Sequence, residues 1–92
     1  MVTAIVMIKA ERQSIPETAQ ALADIKGIAE VYSISGEYDI IAVLRVPQYE
    51  QLATLVTESL LKMPAILGTQ THMAFQTYSR QDLEGMFTIG EE

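Results

Sequence analysis

The sequence predicts an α+β domain on the ferredoxin-like plan, β-α-β-β-α-β, an antiparallel sheet with both helices on one face. Three observations carry that expectation. Residues 2–9 and 40–44 are near-continuous apolar runs, as strands buried on both faces show. Two further stretches, led by Ile15, Ala19, Leu22 and Ala23 and by Leu52, Leu55, Val56 and Leu60, carry apolar residues at helical spacing. Gly27, Gly36, Pro47 and Pro64 punctuate the chain between these segments.

The first strand, residues 2–9, is bounded by the polar cluster Glu11-Arg12-Gln13-Ser14 and is expected at the centre of its sheet. Ser14-Ile15-Pro16-Glu17 reads as a capping box, with the Ser14 hydroxyl and the Glu17 carboxylate each serving the other's N–H. Pro16 falls in the first turn, where a missing N–H does no harm, and Gly27 stops the helix. A second strand spans 28–35 and a third 38–46. The short turn between them makes an antiparallel hairpin. The second helix covers 49–61, with Glu58 and Lys62 an i,i+4 pair, and Pro64 disfavours its continuation. In the fourth strand, 66–77, Thr69, Thr71, Met73 and Phe75 point one way and Gln70, His72, Ala74 and Gln76 the other. The domain proper is residues 1–77. Residues 78–92 form a tail, with a capped turn expected at 79–85, that either packs locally or clips onto a neighbouring subunit.

With 92 residues the chain makes one domain. Yet 49% of its residues are hydrophobic and only 20% charged, more apolar material than a domain this small hides by itself. Right-handed crossovers leave one sheet face bare, so a partner subunit is expected to cover it. The formal net charge is −6, and the six Lys and Arg are scattered. No basic stripe offers itself to phosphates, so direct nucleic-acid binding is not expected. No apolar run reaches the ~20 residues of a membrane span, and no export signal is visible. The absence of cysteine fits a cytoplasmic protein and removes thiolate chemistry.

Little points to catalysis. His72 is the lone histidine, no cluster has metal-ligand spacing, and no phosphate-binding glycine pattern occurs. Neither a catalytic residue nor a metal or cofactor is expected. Ser35-Gly36-Glu37-Tyr38-Asp39 is the segment with a use beyond folding. Gly36 permits positive φ, and consecutive N–H groups in such a turn make an anion nest. Asp39 opens an otherwise apolar strand and needs a donor or cation. An α-amino acid supplies a carboxylate for the nest and an ammonium for Asp39. The same residues also read as a plain hairpin turn with Asp39 bonding the backbone. Thr69 and Thr71 offer hydroxyls to a polar ligand, or are simply β-branched strand residues.

The stretch from Val31 through Gly36-Glu37-Tyr38-Asp39 to Pro47 resembles the effector domain of the leucine-responsive/asparagine regulator (Lrp/AsnC) family, also called the regulation of amino-acid metabolism domain. Its G-x-Y-D turn before a long apolar strand is the most specific mark. The segment Met63-Pro64-Ala65-Ile66-Leu67-Gly68-Thr69-Gln70-Thr71 resembles the family's T-x-T strand. The resemblance, covering residues 1–77, implies a dimeric α/β barrel with two sheets facing each other. It further implies rings of dimers, octamers or decamers, with a small effector, usually an amino acid, at the interface between dimers. Carried over by position, the ligand-lining residues are Gly36, Tyr38, Asp39, Thr69 and Thr71. Full-length members carry an N-terminal helix-turn-helix domain. This sequence begins at the first strand, so it resembles the stand-alone members, and co-assembly with a DNA-binding relative is the expected route to transcription. The alternatives are a small dimeric-barrel enzyme of the cofactor-free monooxygenase or isomerase type and an ACT-type amino-acid module. The latter carries its glycine between first strand and first helix, where this chain has none.

Overall fold

The structure, a computed structural model, describes residues 1–80. Its elements run β1 (Val2–Ala10), a 3₁₀ turn (Arg12–Ser14), α1 (Ile15–Ala23), β2 (Ile28–Ser33), β3 (Ile40–Val46), α2 (Tyr49–Thr54), a π-helical segment (Leu55–Leu60) and β4 (Ile66–Ala74). The sheet order is β2-β3-β1-β4, antiparallel throughout. The two apolar runs therefore hold the centre, and β2 and β4 form the edges.

Alternation within the central strands sorts the side chains. Ala4, Val6, Ile8 and Ala10 of β1 and Ile40, Ala42, Leu44 and Val46 of β3 are buried. Beneath the helices they join Leu22 of α1, Leu52 of α2, and Leu55 and Leu60 of the π segment. Packing of α1 over β2 and β3, and of α2 over β3 and β1, puts both helices on this face. The other face presents Thr3, Ile5 and Met7 beside their partners Arg45, Val43 and Ile41. Among the described residues no helix covers it, and Ile5 is 37% and Tyr32 49% exposed.

The helix starts depart from the sequence reading in one respect. Ser14 precedes α1 but makes no side-chain cap. Its backbone, at φ −107° and ψ 10°, closes the 3₁₀ turn instead of taking the extended conformation from which a cap oxygen reaches the N2 or N3 N–H. The reciprocal geometry appears at α2, where Gln51 Oε1 accepts from the Gln48 N–H at 3.0 Å. The second helix also widens. Thr54 and Thr57 donate their hydroxyls to the carbonyls of Glu50 and Ala53, four residues back, a bond that loosens and bends helices. The Leu61 N–H bonds the Val56 carbonyl at 3.0 Å, a five-residue step. Strands β2 and β3 are shorter than predicted because residues 34–39 form an ordered turn between them. Fourth-strand pairing stops at Ala74, leaving Phe75 98% exposed. Most of the expected tail, residues 81–92 with the close of the predicted 79–85 turn, lies outside the described residues.

Candidate functional site

The 34–39 turn is tied to the end of β1 through its backbone. The Ile34 N–H bonds the Asp39 carbonyl and the Asp39 N–H bonds the Ile8 carbonyl, both at 2.9 Å. Asp39 Oδ2 accepts from the Ala10 N–H at 3.0 Å. That N–H lies where the pairing of β1 with β4 shifts register between Lys9 and Ala10. The Ala10 N–H itself faces the β3 side, where pairing with β1 ends at Ile8–Ile40, and the Asp39 carboxylate takes the place of the missing ladder acceptor. Lys9 Nζ donates to the Glu37 carbonyl at 2.6 Å and holds the turn from its other side.

Gly36 stands at φ +112°, the region that side-chain-bearing residues avoid. A Cβ there would meet nothing within 4 Å, so conformation and not crowding demands the glycine, and the turn fronts open space. The N–H groups of residues 35–38 have no acceptor among the described residues. Tyr38, half-buried, donates its hydroxyl to Gln70 Oε1 at 3.2 Å and so reaches across β1 to the edge strand.

The two threonines are placed differently. Thr69 pairs with Ile8 and Thr71 with Val6, so both project to the helix side of the sheet. Gln70 pairs with Met7 and projects to the open side. Thr69 shares a sheet end with Asp39 through Ile8. Thr71 lies two residues on and, with Met73, borders a groove of about 310 Å³ against Tyr49, Leu52, Val56 and Thr57. The structure thus brings Gly36, Tyr38 and Asp39 together, adds Gln70 and Lys9, and sets the threonine pair on the reverse face. Sequence reasoning passed over Gln70 and Lys9. The signal for Gln70 was its alternation with Thr69 and Thr71, but only the β1–β4 register shows that it meets Tyr38.

The Lrp/AsnC ligand-binding-domain model matches residues 3–83. This chain belongs to the Lrp/AsnC family. It is similar to an uncharacterised HTH-type transcriptional regulator of Pyrococcus furiosus, 35% identical over 74 residues, 80% of this chain and 49% of the relative. A Pyrococcus horikoshii regulator is 32% identical with the same coverage. The chain therefore spans about half the length of the curated relatives it matches. Among solved structures, one from Thermus thermophilus superposes with a TM-score of 0.81 at 35% identity, over 87% of this chain and 100% of that one. AsnC of E. coli superposes at 0.78 with 18% identity, over 85% of this chain and 53% of that one, a likeness of fold. The ferredoxin-like architecture and the family are those the G-x-Y-D turn and element order predicted. Among the described residues of this Lrp/AsnC domain, no helix is long and apolar enough to cross a membrane.

Proposed function

We propose that this Lrp/AsnC domain binds a small effector, an amino acid, at the 36–39 turn, and regulates transcription through assembly and not by touching DNA itself. The carrying observation is the turn itself, where N–H groups without an acceptor among the described residues front open space beside a fixed carboxylate. An amino-acid carboxylate suits those N–H groups, and the second oxygen of Asp39 suits its ammonium. Family membership supports effector binding in a regulator. The threonines, on the opposite face, reach such a ligand only if it or a neighbouring subunit spans the sheet edge, which agrees with a site completed between dimers.

Two copies closing their open faces on each other would form the dimeric α/β barrel, and dimers would assemble further, as octamers or decamers, alone or with a DNA-binding relative. Half-exposed Ile5, Met7, Ile41 and Val43 support that closure. Effector would bias the assembly only through unequal affinity for its states.

A thermal-shift screen of the common amino acids tests this reading, since a ligand of the native state raises Tm by mass action. The expected result is a shift for one or a few amino acids. Asp39→Asn, which keeps an oxygen for the Ala10 N–H but removes the charge, should abolish it while leaving the unliganded Tm near that of the parent. No shift at millimolar concentration for any amino acid rejects amino-acid sensing.

A further inference from the structure

The two edges of the sheet are guarded unequally. β2 is six residues long, carries Glu30 and breaks register with β3 between Ile28 and Glu30. A short, charged, irregular edge discourages pairing with another strand. β4 is nine residues long and contains no Asp, Glu, Lys, Arg or Pro. Its pairing with β1 is regular from Gly68 to Ala74. A long uncharged edge of this kind takes up an added strand unless something covers it.

The register fixes which groups β4 offers. The Asp39 N–H bonds the Ile8 carbonyl, and the Ala10 N–H bonds the Asp39 carboxylate. Even-numbered residues of β1 therefore turn their N–H and C=O toward β3, and odd-numbered ones toward β4. Gly68, Gln70, His72 and Ala74 lie opposite Lys9, Met7, Ile5 and Thr3 and complete those bonds. Thr69, Thr71 and Met73 turn their backbone groups outward, with no backbone partner among the described residues. The side chains of these three lie on the helix side. There α1 packs over β2 and β3, and α2 over β3 and β1, so β4 has less helix above it. Thr71 and Met73 border the groove of about 310 Å³ with Tyr49, Leu52 and Val56. Tyr49 is 61% and Met73 37% exposed.

We propose that Met86-Phe87-Thr88-Ile89 folds back on its own chain as a fifth strand along the outer edge of β4, with Phe87 and Ile89 in this groove. The run lies outside the described residues and beyond residue 83, where the family match ends. The assignment stands independently of the effector reading above. Phe, Thr and Ile favour strands, and the run holds neither charge nor proline. Alternation puts Phe87 and Ile89 on one side, so both reach the apolar groove while their N–H and C=O meet those of Thr71 and Met73. Residues 75–85 form the link. At about 3.3 Å per residue it has length to run out and return to the Ala74 end of β4, where an antiparallel partner must begin. Gly85, directly before the run, is a turn residue. Asp82 and Glu84 on one side and Glu91 and Glu92 on the other flank the run with charge, which keeps the new outer edge from recruiting a further strand.

The test is amide hydrogen exchange by NMR on the isotope-labelled full chain. Thr71 and Met73 report the outer edge, and Gln70 and His72, bonded to β1, report the strand itself. In the parent protein the Thr71 and Met73 amides should exchange slowly. Phe87→Ser combined with Ile89→Ser should speed them by about tenfold, the worth of one net hydrogen bond, with little change at Gln70 and His72. Met86→Ser combined with Thr88→Ser, on the other side of the strand, should do less. Fast exchange at Thr71 and Met73 in the parent overturns the proposal, and so does slow exchange that survives Phe87→Ser with Ile89→Ser, which assigns the edge cover to another partner. Equal effects of the two variant pairs remove the period of two and overturn the strand. Equal loss at Gln70 and His72 assigns the effect to fraying of β4 and overturns it as well. Protection that falls on dilution places the run on a second copy and overturns pairing within one chain.

Discussion

Ile8 and Ile5 belong to one strand, three residues apart, and live in different environments. Ile8 is fully buried under the helices, whereas Ile5 is 37% exposed on the open face. Nothing in their chemistry distinguishes them. The difference arises because α1 and α2, among the described residues, both pack on the same side. A strand apolar on both faces is therefore built for two covers, and the described residues of one copy provide one. The comparison turns a compositional excess of apolar residues into a location.

The largest effect expected on that comparison is Ile8→Ala, which should cost about 2–5 kcal/mol in urea denaturation by opening a cavity under α1 and α2. Next comes Gly27→Ala. Both its φ of +101° and the 3.0 Å approach to Leu55 oppose a methyl group, and a loss of about 1–3 kcal/mol is expected. Asp39→Ala leaves the half-buried Ala10 N–H without an acceptor and should cost about 1–2 kcal/mol. Ile5→Ala should cost under about 1 kcal/mol in dilute protein, where the open face is bare. If its cost instead matches that of Ile8→Ala and falls on dilution, the open face is covered by a second copy. A concentration-independent cost equal to that of Ile8→Ala would contradict the two-face distinction. The smallest effect belongs to Lys62→Ala. Its 3.3 Å pair with Glu58 is 70% and 62% exposed, so about 0.3–0.5 kcal/mol is expected, diminishing with salt.

Periodicity made the architecture legible. The runs at 2–9 and 40–44 needed only their length and lack of polar interruption to be placed centrally. Helix ends were less legible, because Ser14 has the right side chain for a cap while its backbone is committed to the 3₁₀ turn. That conflict is conformational and leaves no trace in residue type. The widening after Thr54 was equally hidden, since threonine hydroxyls bond their own helix in ordinary helices too. At the candidate site, Gly36 and Asp39 announced a turn through their chemistry. Tyr38 meeting Gln70, and Thr69 and Thr71 facing the helices, depended on the register between β1 and β4. Register is a relation between distant segments, and no local window contains it. The same holds for Gly27 and Arg45, eighteen positions apart in sequence and joined by the Arg45 N–H donating to the Gly27 carbonyl.

The sheet order has a consequence for the nascent chain. β1 lies between β3 and β4, so Val2 pairs with Val46 and Thr3 with Ala74. During synthesis this central, largely apolar strand leaves the ribosome well before either neighbour exists. At about 5–20 residues per second it waits several seconds with both edges unpaired. Until β4 arrives, β1 offers a sticky edge to any other extended chain nearby. Polysomes making many copies side by side would bring such edges together, and a holding chaperone that binds short apolar segments would find a target in residues 2–9.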